Sequence, residues 1–183
     1  MATIQLTDPS LKRIIVRRAE QLFDIYMRQE HFREYDHAKS CLVWAAAVVE
    51  AAKASPALKG MQLQGGSASW RVVAEDQDDG VSATHYSYVY TPPDDPFELG
   101  EVHYWAAVHP KHDPAGKGLI VDLTTKYVPD LATRMGMKVS CKPPKLVWAP
   151  PDEMPENCDK YEPDMKAVVT GVRLIHQLLG VRV

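Results

Sequence analysis

The chain has 183 residues, 45% hydrophobic and 25% charged, with a formal net charge of -3. That length holds one domain (1–183) with a real core and hardly two, and the near-balanced charge excludes the basic footprint of a nucleic-acid or membrane-surface binder. Three widely spaced cysteines make no disulfide framework, Met1–Leu6 lacks the pattern of a signal peptide, and no apolar run is long enough to span a bilayer, so the expectation is a cytoplasmic protein.

Asp8-Pro9 is a helix start, a carboxylate at the cap followed by proline at the first helical position. Leu11, Ile14, Ile15, Leu22, Phe23 and Tyr26 recur at helical spacing, which predicts an N-terminal helix over 8–29 with that face inward. Lys12, Arg13, Arg17, Arg18 and Glu20 then face water. Arg28 to His37 reads as a loop. It leads into Cys41–Ala52, where Glu50 is the one polar residue after the cysteine. A helix apolar nearly all round has to lie inside a core, so this is the expected central helix of a core spanning 38–127. Cys41 in its first turn meets unpaired backbone N–H groups and the positive end of the helix dipole, a common placement for a nucleophile. The plain alternative is a small buried hydrophobe.

Ser55-Pro56 ends the helix, and from Gly60 through Gly66 to Val73 the period changes from helical to extended. Asp79-Gly80 is a hairpin turn signal, and Ser82 to Tyr90 is the expected second strand. The acidic run from Glu75 to Gly80 fails as a calcium loop, because Tyr86 stands where a bidentate glutamate is required. Glu101 to Val108 is the third strand, with Glu101, His103, Trp105 and Ala107 on one face. Gly118 to Thr124 is the fourth. A register with Val108 opposite Lys117 sets His103 directly opposite Asp122, with Cβ atoms about 5 Å apart, in reach of an imidazole–carboxylate hydrogen bond. Beyond, 128–183 is expected to hold a short helix at Val128 to Met135 and a strand at Lys145 to Trp148. A proline-rich surface loop from Pro150 to Pro163 and an amphipathic helix from Met165 to Leu179, stopped by Gly180, complete it.

A cysteine opening a buried helix, a histidine on a strand and an aspartate on the next form a nucleophile, base and orienter set. The thiol needs a base to take its proton and later deliver it to the leaving amine, and the imidazole needs a carboxylate to fix its tautomer. The order Cys41, His103, Asp122, with intervals of 62 and 19 residues, resembles the transglutaminase-like superfamily, circularly rearranged relatives of papain. The likeness runs from Ser40 to about Tyr127. Cys41 and its alanine-rich helix are similar to that family's nucleophile helix, and Gly60 to Gly66 is similar to the glycine-bounded strand that follows it. His103-Tyr104-Trp105-Ala106-Ala107-Val108 is similar to its His-x-Trp-x-x-Val strand, and Ile120-Val121-Asp122-Leu123-Thr124 to its apolar-apolar-Asp-x-Thr strand. The chain departs from the pattern in Ser40 before the cysteine, in an aromatic only at Trp44, and in the missing arginine of Gly60 to Gly66.

The resemblance implies an α+β fold with a papain-like core, an antiparallel sheet packed on the Cys-bearing helix, and a cysteine hydrolase or acyltransferase that needs no cofactor. Cys41 would attack a carboxamide or peptide carbonyl of a protein or peptide substrate to give a thioester, with His103 as base and then acid and Asp122 holding His103. The Cys41 backbone N–H is the first oxyanion donor. Gln29 and His31 are candidates for a second, and Trp105 is either a shield for the His103–Asp122 pair or a core aromatic. An amine attacking the thioester gives cross-linking; water gives proteolysis or deamidation. Three rivals remain. A metal site at His109-x-x-His112 with Asp113 or a cysteine is disfavoured, because these residues share one Pro- and Gly-containing loop and no paired-cysteine motif accompanies them. Cys141 and Cys158 form no motif. A binding module that keeps the fold without turnover is the second rival. Arylamine N-acetyltransferase-type acyl transfer, which shares the triad order but has a further domain for which this chain has no room, is the third.

Overall fold

A computed structural model of the chain describes residues 5–29, 32, 40–73, 85–91 and 101–183. Helix α1 (Pro9–Met27) starts where expected, with the Asp8 carboxylate accepting from the N–H groups of Ser10 at 2.7 Å and Leu11 at 3.3 Å. Leu11, Ile15, Ala19, Phe23 and Tyr26 form its buried face. Ile14, expected inward, is 64% exposed; at 3.6 residues per turn it stands about 120° from the centre of that stripe.

Helix α2 (Cys41–Ala52) buries every residue from Leu42 to Val49, together with Ala51 and Ala52. The Phe23 ring of α1 stacks on Trp44 at 3.7 Å. Ser40 supplies no side-chain cap hydrogen bond, so burial holds this helix, at about 1.5–3 kcal/mol for each large side chain removed from water.

The strands are β1 (Met61–Arg71), β2 (His85–Tyr88), β3 (His103–Val108), β4 (Leu119–Asp122), β5 (Val147–Ala149) and β6 (Cys158–Pro163), with helix α3 (Val128–Arg134) after β4 and helix α4 (Met165–Leu179) after β6. All pairings are antiparallel and run β2–β1–β3–β4–β5, with β6 also on β1. The register shows how three strands share β1. β6 pairs at Ala68 and Ser69, as β2 does, and at Gly66, as β3 does. One edge of a strand offers each residue one partner, so β6 holds the edge opposite both, and β2 and β3 follow one another along the same edge. The bridge between Thr91 and Glu101 lies at their junction.

One sheet face, with Leu63, Tyr104, Ala106, Val108 and Val121, packs on α1, α2 and α4. The other, with Ala68, Trp70, Trp105, Ile120 and Val147, closes on a second core with Val128 and Ala132 of α3. The result is a mixed α/β fold of four helices and a curled antiparallel sheet among the described residues. Tyr104 sets the seat of α4: its ring lies where a Cβ on Gly65 would come within 2.5 Å and one on Gly171 within 2.4 Å, and its hydroxyl donates to the Ala167 carbonyl at 3.2 Å.

Two further expectations are corrected. The stretch from Pro150 to Pro163 is not all loop, since Cys158–Pro163 is strand β6; its Asp159, Lys160, Glu162 and Pro163 are exposed, the composition of a protected edge rather than of a buried strand. The β3–β4 register also differs: Val108 stands opposite Leu119, not Lys117. That slip of two residues leaves every side chain on its expected face. The turn Asp79-Gly80 and the acidic run before it lie outside the described residues. Among the described residues no helix is long and apolar enough to cross a membrane.

Candidate active site

His103 opens β3 opposite Gly66 of β1, and Asp122 closes β4. Their strands are adjacent and their side chains share the face away from α2. His103 Nε2 and Asp122 Oδ2 are 2.8 Å apart, and both side chains are buried. The imidazole–carboxylate hydrogen bond is therefore present, with the contact diagonal across the ladder rather than directly opposite.

Asp122 is saturated with donors. Its Oδ1 accepts from the Thr124 N–H at 2.7 Å and the Thr124 hydroxyl at 2.5 Å, while Oδ2 accepts from His103 and from the Tyr161 hydroxyl at 2.8 Å. A carboxylate that only accepts is an anion. Burial pushes the Asp122 carboxyl up most strongly, yet the charge and hydrogen bond of His103 and the two Thr124 bonds outweigh it, leaving the group below its ordinary value. For His103, burial alone pushes the imidazole down. The Asp122 charge and hydrogen bond overcome that, Cys41 adds to the rise, and the ring is pushed up to about 10.

With Nε2 committed to Asp122, Nδ1 is buried and makes no hydrogen bond of good geometry. Cys41 is the further group whose hydrogen bonding and charge act on the ring. The thiol itself is partly exposed. Cys41 packs against the cluster of Leu42, Leu63 and Tyr104 on one face of the sheet, while His103 lies with Trp105 on the other.

Aromatic rings enclose the imidazole. Tyr88 stacks on it at 5.5 Å and Trp105 at 6.1 Å, each within 19° of parallel, and Trp70 meets it edge-on at 4.9 Å. Water excluded by these rings cannot screen the His103–Asp122 interaction, which strengthens it. Trp105 thus covers the ring as well as filling the core. The Tyr86 hydroxyl donates to that of Tyr88 at 3.2 Å. Burial first, and the nearby Cys41 among the smaller causes, push both phenols up.

Gln29 lies in the turn after α1, its N–H donating to Tyr26 and its carbonyl accepting from Phe32; no described contact joins it to Cys41. His31 lies outside the described residues. The His109 and His112 rings are 6.5 Å apart, with His109 Nδ1 accepting from the Lys111 N–H. The Asp113 carboxylate accepts from the N–H groups of Ala115, Lys117 and Gly118, which shapes the loop. Among the described residues no three His, Cys, Asp or Glu side chains are grouped to hold a metal. Cys141 donates to the Arg71 carbonyl at 3.6 Å. Cys158 is buried, and burial foremost pushes its thiol up to about 12.

Tyr161 was missed. It belongs to the segment expected to be loop, and the polar residues around it gave no strand signal. Comparison of the chain with protein-family models, curated proteins and solved structures returned no match.

Proposed function

We propose that the protein is a thiol-dependent acyl-transfer enzyme acting on amide bonds of a protein or peptide, built on a papain-like, transglutaminase-like core. The observation that carries this reading is the buried imidazole tied through Nε2 to a saturated carboxylate, with Nδ1 left without a hydrogen bond and Cys41, at a helix start, among the groups that act on the ring. A buried nitrogen without a partner costs about 1–3 kcal/mol, which structure alone gives no reason to retain.

His103 carries the proton on Nδ1 as an imidazolium stabilised by Asp122, and in this pairing Cys41 reacts as the thiolate. The sulfur attacks the amide carbon, and the oxyanion faces the amides at the start of α2. The imidazolium then protonates the leaving amine as the C–N bond breaks, giving a thioester. Water or a second amine, deprotonated by Nδ1, attacks the thioester carbon; the C–S bond breaks, the acid or new amide leaves, and the Cys41 sulfur is returned to its imidazolium partner.

The test is acylation of Cys41 by a p-nitrophenyl ester, read by mass spectrometry of the acid-quenched protein. The expected result is one acyl group on Cys41, removed by hydroxylamine and not formed in His103→Ala. Acylation no faster than in that variant would contradict the proposal and leave a binding module.

A further inference from the structure

The Tyr161 bond to Asp122 has no part in the reaction as written, yet it enters at the oxygen on which the imidazole depends. Tyr161 comes from β6, and β1 and β3 separate that strand from β4; in a flat sheet the two strands would be roughly 14 Å apart at about 4.8 Å per strand. In the 2.8 Å contact the Tyr161 side chain therefore reaches across the sheet face that carries Gly66, Ala68 and His103. The small residues Gly66 and Ala68 lie opposite β6 there, and a Cβ on Gly66 would come 2.1 Å from the Glu162 carbonyl.

The direction of this bond is forced. Trp70 Nε1 can only donate, and it donates to the Tyr161 oxygen at 3.1 Å. Ionised Asp122 can only accept, so the phenol proton is committed to Oδ2. The ordered chain is Trp70 to Tyr161 to Asp122, with His103 donating to the same Oδ2 from the other side. Each donor on a carboxylate oxygen disperses its charge, so Tyr161 weakens the pull of Asp122 on the imidazolium while holding Oδ2 in place.

We propose that Tyr161 is a positioning residue that sets the proton affinity and orientation of His103 through Asp122 Oδ2. This rests on the acyl-transfer reading above. Among the described residues the other titratable groups that act on the pair or stack on its ring are Cys41 from α2, Tyr88 from β2 and Cys158 from β6. None of them shares Oδ2 in a described hydrogen bond.

The test compares wild type with Tyr161→Phe, which keeps the ring and removes the donor, and follows the His103 ring resonances by NMR across pH together with the pH profile of Cys41 alkylation. With one donor gone, the His103 midpoint rises by about half a pH unit or more, and the alkylation profile moves with it. Placing 3,5-difluorotyrosine at 161, a stronger donor of the same size, moves the midpoint down, and serves if Tyr161→Phe does not fold. A lowered melting temperature with an unmoved His103 midpoint in both variants would overturn the proposal and leave Tyr161 a packing residue. Failure of the acyl-transfer reading is separately visible, as wild-type alkylation that His103→Ala does not slow.

Discussion

His103 donates to Asp122 at 2.8 Å although the β3–β4 ladder, extended from Ala106 opposite Val121, sets Trp105 across from the aspartate. The imidazole instead reaches Asp122 diagonally, over a distance that long or aromatic side chains span. What the pair requires is a shared face, and an even slip of register preserves that. The carboxylate is aimed by Thr124 on one oxygen and Tyr161 on the other.

Asp122→Ala leaves a buried imidazole without its counter-charge and is expected to destabilise the fold by about 3–5 kcal/mol, measured by urea unfolding near pH 6. Asp122→Asn keeps the size and loses the charge. With circular dichroism unchanged, it should slow Cys41 alkylation at least tenfold.

The pair also gives stability a pH dependence. His103 binds its proton more tightly when folded, its value rising from 6.5 to about 10. Its contribution is therefore full below pH 6.5 and is lost as pH rises towards 10. Asp122, lowered from 3.8, contributes above that value and loses its contribution as pH falls through the folded value. The two overlap fully from about pH 4 to 6.5. Urea unfolding at pH 6, 8 and 9.5 should show wild type losing stability towards alkaline pH relative to His103→Gln.

Three cysteines offer an internal comparison. Burial pushes Cys158 up to about 12 and raises Cys141, so neither is a ready thiolate at neutral pH. Brief iodoacetamide treatment at pH 7, followed by peptide mapping, should label Cys41 alone.

The α2 helix, the two core strands and the His103–Asp122 pair were legible because apolar runs and a two-residue period report burial and face directly. The cap at Asp8 and the stop at Gly180, which adopts φ 66°, were legible for similar reasons of local chemistry. Register was not, because facing parity is the same at any even offset. Strand β6 was hidden because its polar edge residues look like a surface loop, and with it Tyr161. The ring enclosure of His103 by Tyr88 and Trp70 joins three strands, a convergence that no local pattern encodes.

Gly171 tests how α4 is seated. Alanine in a helix interior gains about 1 kcal/mol over glycine, but its Cβ would lie 2.4 Å from the Tyr104 ring and 3.1 Å from Leu63. Overpacking of that kind costs about 1–3 kcal/mol. Gly171→Ala should therefore lower the melting temperature, and Tyr104→Leu in the same chain should recover part of the loss.

The central claim is that His103 activates Cys41, and the most direct measurement is the rate of Cys41 alkylation at pH 7 in wild type and in His103→Ala, with Cys141 and Cys158 replaced by serine and alanine in both. The account predicts at least a tenfold slower reaction in the variant. Equal rates, both at the level of a simple thiol, would contradict it.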